Sequence, residues 1–333
     1  LVADSVDGLV TDAAGGGGRP APDVVVVAPP VAGLPEAGQD LVDGLAARLG
    51  GWLADDRLAG TKFVVATTGA VATGTEADAP EPLSAALWGV VRSLQAACPG
   101  RLTLVDVDAD VDLDMDVDVE GVRAGEGDGD RRGAALRRAV ENGHDQAAVR
   151  TGVLLVPRLT RVSVPAEPGP APVLDPDGLV VITGGDTARG TALARHLVAG
   201  YGARNLLLLS ANGLPEEAAA ALRSELAHDG AQVSMAVCDP ADRAALDSVL
   251  DAQDRPVTAA VHIEEPGPER SFGTSLRGMT HLEERTRRAD PALFVVVTSA
   301  AGVLGSPGRP DRAAADQFGE ALVRRRRALG LAG

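Results

Sequence analysis

Short, wholly apolar runs separated by helical stretches recur along this 333-residue chain, and they restrict its fold more than any other feature. Runs such as residues 24–27 and 206–209 are apolar at every position. A strand that is apolar on both faces belongs inside a parallel sheet whose two sides are covered by helices. Strands of this kind that alternate with helices are typical of doubly wound α/β domains. The sequence therefore predicts the α/β class.

The runs form two series with the same plan, which predicts two doubly wound units. We expect strands at 23–28, 62–67, 101–106, 179–183, 205–209, 233–237, 259–262 and 293–298, and helices at 38–58, 83–97, 191–199, 216–229, 243–252 and 313–329. Residues 149–162 are predicted to be extended. The predicted boundaries are 1–164 for the first unit, 165–176 for a linker rich in proline and acidic residues, and 177–333 for the second unit.

An acidic insertion is predicted at about residues 106–133, where Asp and Glu first alternate with apolar residues and a Gly-rich stretch follows. A strand with this pattern would carry carboxylates along one whole face, and these would repel each other. Calcium would relieve the repulsion, but the glycine and the terminal glutamate of a calcium-binding loop are missing. We expect a solvated, partly disordered insertion.

Charge and cysteine content exclude several classes of function. The net charge of −16 argues against nucleic acid and against anionic membranes as partners. No apolar stretch approaches the ~20 residues of a membrane span, and there is no signal peptide. Cys98 and Cys238 are far apart and match no metal-binding spacing, so we expect a reduced, cytoplasmic chain without metal. Because the chain begins without Met, we expect it to be a piece of a longer protein.

Four motifs resemble the ketoreductase domains of modular type I polyketide synthases. They are the strand at 179–183, the segment Thr298-Ser299-Ala300-Ala301-Gly302-Val303-Leu304-Gly305-Ser306-Pro307-Gly308, the run Ala86-Leu87-Trp88-Gly89 followed by Arg92, and Val149-Arg150-Thr151-Gly152 leading to Pro157-Arg158-Leu159. The resemblance implies a truncated, Rossmann-like structural subdomain and a Rossmann catalytic subdomain of the short-chain reductase type. It also implies NADPH as cofactor, with an acyl carrier protein and neighbouring synthase domains in cis as partners. The last strand and helix of the family would lie beyond Gly333.

The turn after the strand at 179–183 departs from the family's phosphate-binding turn, which carries Thr-Gly-Gly-Thr-Gly-x-Leu-Gly. Gly184, Gly185 and Gly190 match the family, but Asp186 replaces a threonine and Thr187 replaces the central glycine. The glycines of such turns let the backbone approach a pyrophosphate at the helix N-terminus. An aspartate there would add a like-charge contact that costs on the order of a few kcal/mol. We expect dinucleotide binding to be lost.

The other cofactor contacts that the resemblance implies are also altered. Ala211 stands where the family has an arginine that grips the 2′-phosphate of NADPH, whereas Asp239 matches the aspartate on the adenine side. After Val261-His262 the family continues with small residues that let the nicotinamide lie close, and here Ile263 and Glu264 follow. We expect His262 to be structural.

The family's catalytic tetrad is retained at one position of four. Ser299 matches the serine that hydrogen-bonds the ketone, Arg312 falls on the tyrosine, Asp316 on the asparagine, and Ser275 on the lysine, with the last alignment the least secure. The chain has a single lysine, Lys62, and a single tyrosine, Tyr201. A guanidinium does not release its proton near neutral pH, so Arg312 cannot act as a general acid. We expect Arg312 to form an ordinary helical ion pair with Asp316.

These residues favour a catalytically inactive ketoreductase-like domain with a structural role, which leaves the β-keto group of the carrier-bound polyketide unreduced. Two alternatives stay open: an active NADPH-dependent β-ketoacyl reductase, and an α-carbon epimerase of 2-methyl-3-ketoacyl chains. Arg312 argues against both. The run Arg324-Arg325-Arg326-Arg327 is predicted to be a solvated helix end, with a docking patch for an acidic carrier protein as the alternative.

Overall fold

The computed structural model describes residues 21–29, 38–74, 79–108, 138–139, 141–161, 174–264 and 271–333. Contacts between Cα atoms divide the chain into two units. The first comprises Leu1–Leu159 and Ser299–Leu322, and the second comprises Thr160–Thr298 and Val323–Gly333. We had predicted that everything from residue 177 onward belongs to the second unit, so the grouping of Ser299–Leu322 with the first differs from that expectation. Most of the predicted acidic insertion lies outside the described residues.

The first unit contains a five-stranded sheet in the order β1-β2-β3-β4-β5. Its strands are β1 (Val24–Val27), β2 (Lys62–Thr68), β3 (Leu102–Val107), β4 (Gln146–Arg150) and β5 (Val153–Leu155). Strands β1 to β4 are parallel, and β5 returns antiparallel to β4. Helix α1 (Gly38–Ala54) precedes a short 3₁₀ helix (Asp56–Leu58), and α2 (Pro82–Ala97) lies between β2 and β3 in the chain.

Helix α2 is the centre of the first unit, because every residue from Pro82 to Ser93 is buried. A helix that is buried all round must have packing partners on all sides. It packs against α1, β3 and the short helix α7 (Ala301–Leu304). A Cβ added at Gly89 would collide with the backbone carbonyl of Ala313, which explains why a glycine stands in the middle of this helix. This close approach is one reason why Ser299–Leu322 belongs with the first unit.

Arg92 reinforces that packing from the same helix. Its guanidinium donates to the carbonyl of Gly302 at 2.8 Å, to Gln317 Oε1 at 2.7 Å and to Gln146 Oε1 at 3.1 Å. It also lies 5.1 Å from the centre of the Trp88 ring. Burial lowers the pKa of Arg92 to about 10, so the group remains charged at neutral pH. Trp88-Gly89 together with Arg92, one of the four motifs that carried the resemblance, therefore has a packing role.

The second unit contains a five-stranded, all-parallel sheet in the order β10-β9-β6-β7-β8. Its strands are β6 (Leu179–Thr183), β7 (Asn205–Ser210), β8 (Gln232–Val237), β9 (Val257–Ile263) and β10 (Leu293–Val297). The helices that begin in this unit are α3 (Ala188–Tyr201), α4 (Glu216–His228), α5 (Arg243–Asp251) and α6 (Phe272–Arg287). The final helix α8 (Pro310–Ala328) begins in the first unit and ends in the second.

Both faces of the second sheet are covered, as the apolar runs predicted. Alternate residues of β6 and β7 belong to different core clusters: Val180 and Leu206 pack on one face, whereas Val181 and Leu207 pack on the other. Every residue of β6 and β7 is buried. The two doubly wound parallel sheets confirm the predicted fold class.

The structure corrects three details of the sequence analysis. Asp106 does not begin a solvated insertion, because it lies in β3 and is fully buried. Leu174, placed in the linker, is buried in the second unit's core. Arg326, placed at a solvated helix end, is 1% exposed, donates to Glu283 Oε1 at 2.8 Å and stacks 4.3 Å from the centre of the Phe294 ring. Periodicity alone did not show that Arg326 is on the side of α8 that faces the core.

No helix within the described ranges combines the length and apolar character that crossing a bilayer would need. Over the same ranges, no three His, Cys, Asp or Glu side chains converge in a way that could hold a metal ion.

Candidate functional site

The turn between β6 and α3 is closed by its own hydrogen bonds. Thr187 is the N-cap of α3: its hydroxyl accepts from the Gly190 N–H at 2.9 Å and donates to the Gly184 carbonyl at 2.7 Å. An N-cap satisfies a backbone donor that a helix would otherwise leave free. Thr187 therefore uses an amide at the helix N-terminus that could otherwise face an anion.

The glycines of this turn are required by packing alone. A Cβ at Gly190 would collide with the Gly184 carbonyl, and a Cβ at Gly185 would lie 2.6 Å from the Cβ of Leu208. Gly184 has φ of +65°, and its Cβ would lie 2.6 Å from the Ile263 carbonyl oxygen. The presence of these three glycines is therefore not by itself evidence that the turn binds a phosphate.

Asp186 has the least favourable surroundings in this turn. Its Oδ1 atom is buried and has no hydrogen-bond partner among the described residues. It borders a cavity of about 150 Å³ that is also lined by Ser210, Glu216, Arg223 and Val237. Arg223 lies 3.2 Å from Glu216 Oε1, so its charge is partly offset. A phosphate that entered this cavity would meet an unpaired carboxylate oxygen.

The adenine-side residues follow β7 and β8 at the same edge of the second sheet. Ala211 directly follows β7, where Ser210 Oγ accepts from the Gly213 N–H at 2.9 Å, so the serine stabilises a local turn. Asp239 follows β8, and its Oδ1 accepts from the Ala241 N–H at 3.0 Å. The carboxylate of Asp239 thus has a structural partner within its own loop.

Ser275, at the position of the family's lysine, is part of a chain of polar contacts in the second unit. Its hydroxyl donates to Glu264 Oε1 at 2.7 Å, and Glu264 Oε2 lies 3.4 Å from His262 Nε2. Thr183 Oγ1 lies 2.9 Å from His262 Nδ1 and accepts from the Ile263 N–H at 3.2 Å. Because the Glu264 carboxylate can only accept, His262 Nε2 carries the proton that faces it, and in that tautomer Nδ1 accepts from the Thr183 hydroxyl. These contacts support the structural role that we predicted for His262.

Ser299 and Asp316 are brought together in the first unit. Ser299 Oγ donates to Asp316 Oδ2 at 2.5 Å, and the Ser299 N–H donates to Asp316 Oδ1 at 3.0 Å. We had expected Asp316 to pair with Arg312, but both of its oxygens accept from Ser299. Arg312 lies on the exposed side of α8. The serine hydroxyl is thus committed to a carboxylate, and its oxygen accepts from the Ala301 N–H at 3.2 Å.

Sequence reasoning missed two polar arrangements. No sequence pattern indicated the hydrogen bond between Glu264 and Ser275, because the two residues are eleven positions apart and the alignment with the family is uncertain between them. The ion pair of Asp106 and Arg150 could have been suspected from the sequence. Arg150 lies in the motif Val149-Arg150-Thr151-Gly152, and Asp106 is the last residue of the strand predicted at 101–106.

Comparisons with known proteins agree with the two-unit plan. Residues 2–159 match the family described as the Rossmann fold domain of the polyketide synthase extender module SpnB, and residues 178–265 and 267–333 match the KR domain family. The spectinabilin polyketide synthase system protein NorA of Streptomyces orinoci is 38% identical over 336 residues, which cover 95% of this chain and 16% of that protein. The chain thus spans a small part of this curated relative.

Two solved structures share the fold, and this chain covers a larger part of their length than of NorA. An A1-type ketoreductase superposes with a TM-score of 0.71 at 31% identity, over 86% of this chain and 60% of that one. A structure of A-type ketoreductases from a modular polyketide synthase gives a TM-score of 0.72 at 30% identity, over 93% of this chain and 65% of that one.

Proposed function

Because this chain belongs to the ketoreductase domains of modular polyketide synthases, we propose that it is a redox-inactive member of that family. In this proposal it serves as a structural part of a cytoplasmic synthase. It packs beside neighbouring domains in cis and lets the β-keto group on the acyl carrier protein pass on unreduced.

The location of the only phenol carries the proposal. Reduction of a ketone needs a proton donor whose pKa lies near the operating pH, and it must be within hydrogen-bond reach of the carbonyl. Tyr201 is the last residue of α3, which begins at the turn after β6. A helix of 14 residues is about 20 Å long, so Tyr201 lies far from the turn. It contacts His196 there, with 5.4 Å between the ring centres.

The remaining candidates for the proton donor are equally unsuited. Lys62 is exposed at the first residue of β2, whereas ligands of parallel sheets bind at the carboxyl ends of the strands. Arg312 does not release its proton near neutral pH. Ser299 keeps its proton in the bond to Asp316, and its hydroxyl pKa is in any case too high for general-acid work.

The residues that would hold NADPH do not fit it. Thr187 occupies an amide of the helix N-terminus, Asp186 presents a carboxylate oxygen without a donor, and Ala211 cannot grip a 2′-phosphate. A favourable anion site has the opposite pattern, with free N–H donors and cationic side chains. These observations support the proposal that the cofactor no longer binds.

A titration with NADPH, followed by nicotinamide fluorescence, tests the proposal. We expect no saturable change up to millimolar cofactor. The triple variant Asp186→Thr, Thr187→Gly, Ala211→Arg, which restores the family's residues, should gain measurable affinity. Micromolar binding by the unaltered chain would overturn the proposal.

Reduction itself is the second measurement. The complete module should release a product that retains the β-keto group, whether or not NADPH is supplied. An NADPH-dependent hydroxyl product that disappears in Ser299→Ala would show an active reductase.

A further inference from the structure

The side chain of Asp106, at the carboxyl end of β3, is surrounded by hydrogen-bond donors. Oδ1 accepts from Thr67 Oγ1 at 2.7 Å and from the Ala70 N–H at 2.8 Å. Oδ2 accepts from Arg150 Nη2 at 2.6 Å and from the Val71 N–H at 3.2 Å. Asp106 has no exposed surface. Each carboxylate oxygen therefore has two donors, the arrangement that a buried charge requires.

These donors come from separate parts of the chain, and other bonds hold them in place. Thr67 Oγ1 accepts from Trp88 Nε1 at 2.8 Å, which directs the threonine proton to the carboxylate. Arg150 Nη2 also donates to the Val71 carbonyl at 2.7 Å, and its Nη1 donates to the Asp106 carbonyl at 3.2 Å. The loop after β2 is thus fixed from both sides, with its amides directed at one point.

That point lies where α/β proteins bind their ligands. Thr67 and Asp106 are the penultimate residues of the neighbouring parallel strands β2 and β3 and are direct register partners. Ligands of open parallel sheets bind outside the carboxyl ends of the strands, commonly on loop amides. A hydroxyl, two amides and a guanidinium form a receptor for a carboxylate. Burial raises the pKa of Asp106, whereas the bonds from Thr67, Ala70 and Arg150 oppose that rise.

We propose that the first unit contains a carboxylate-binding site at the carboxyl edge of its sheet, and that the side chain of Asp106 is its built-in ligand. At the edge where parallel α/β folds commonly bind an anion from solution, the carboxylate of Asp106 occupies the anion position. The donors are preorganised independently of Asp106, so the site should accept an external carboxylate when this side chain is removed. The proposal concerns the first unit and does not depend on the proposed loss of reduction.

Chemical rescue of Asp106→Gly in the full 333-residue chain tests the inference. We expect this variant to melt at a lower temperature, and sodium formate to restore stability with a saturable dependence on concentration. At ten times the dissociation constant, the rise in melting temperature should be about 3–6 °C above that in sodium chloride of equal ionic strength.

The two tryptophans provide a local readout with an internal control. Trp88 is bonded to Thr67 and should change its indole N–H resonance when formate fills the site. Trp52 stacks on Phe63, with 5.6 Å between the ring centres, and should not change. If Asp106→Gly fails to fold alone, refolding in formate and in chloride gives the same comparison through the fraction recovered.

Two variants distinguish a site from a general effect of salt. Asp106→Asn keeps the side chain in place, so formate should not stabilise it. Asp106→Gly combined with Arg150→Met lacks the cation, and its rescue should be at least tenfold weaker. Formate that is no better than chloride, or that stabilises all three variants equally, would overturn the proposal.

Discussion

An aspartate at the carboxyl edge of each sheet has opposite surroundings in the two units. In the first unit Asp106 accepts four hydrogen bonds, one of them from Arg150. In the second unit Asp186 has a buried oxygen without a partner among the described residues. A carboxylate in the interior is tolerated where donors compensate for lost hydration and is costly where they do not. The first edge therefore surrounds its carboxylate with donors, whereas the second leaves one buried oxygen of Asp186 without a donor among the described residues.

Removing the charge of each aspartate should give the largest difference in stability between the two units. Asp106→Asn should lower the free energy of unfolding of the first unit by about 3–5 kcal/mol, because Arg150 keeps its charge and the loop amides face an NH₂ group. Asp186→Asn should be neutral or should stabilise the second unit by about 1 kcal/mol, because the buried oxygen without a donor would then belong to a neutral amide. Urea unfolding, followed by circular dichroism, measures both.

Tryptophan fluorescence assigns the transitions in that experiment. Trp52 and Trp88, the only tryptophans, both lie in the first unit. The fluorescence transition should therefore shift in Asp106→Asn and stay in place in Asp186→Asn. Equal losses in the two variants would mean that the edges do not differ as described.

A second test asks how strongly the turn between β6 and α3 depends on the close packing of its glycines. Gly190→Ala should destabilise the protein by about 1–3 kcal/mol, because the new methyl group would collide with the Gly184 carbonyl. Gly200→Ala, in the same helix, places its methyl group 3.6 Å from His196 and should gain about 0.5–1 kcal/mol from helix propensity. Thermal melting of the two variants measures the difference. A neutral Gly190→Ala would show a turn looser than the structure has it.

The comparison also shows what the sequence could and could not predict. Strands β6 and β7 could be predicted because a short, unbroken apolar run is typical of a strand inside a parallel sheet that is covered on both faces. Helix α6 was missed, although Phe272, Leu276 and Met279 repeat at helical spacing and are all buried. The turn after β6 could be compared with the family's phosphate-binding turn because its positions are consecutive in the sequence, and the loss of cofactor binding stays a prediction.

Hydrogen-bond partners that are distant in the sequence could not be predicted from local patterns. The spacing of Arg312 and Asp316 predicted a helical pair, whereas the carboxylate accepts from Ser299, seventeen positions earlier. Asp106 looked like the first of many solvated acids because the four donors to its side chain lie 35 to 44 positions away in the sequence. Which acid is buried depends on tertiary contacts that no local period encodes.

Thr187 gives a smaller and more local contrast within the second turn. Thr187→Ala removes the N-cap of α3 and should cost about 1 kcal/mol. Thr191→Ala, one turn later, removes an exposed bond of 3.2 Å to the Ala188 carbonyl and should change stability by less than about 0.5 kcal/mol. Urea denaturation of both variants is the measurement. If Thr187→Ala were neutral, the threonine would not be closing the turn.

The two cysteines provide the most sensitive check, because each unit has one and their labelling reports local opening. Cys238 follows β8 at the second edge and is 3% exposed, and burial together with Asp239 and Asp242 raises its pKa to about 11. At pH 8 only about one thousandth of this thiol is thiolate, the form that reacts. In the native protein a maleimide should modify the partly exposed Cys98 at least tenfold faster, and the rate at Cys238 should rise about tenfold per pH unit toward pH 11. Mass spectrometry of timed samples measures both rates. Equal rates at pH 8 in the native protein, but not in Asp186→Asn, would mean that Asp186 favours local opening of the second edge. The contrast between the units would then extend from stability to dynamics.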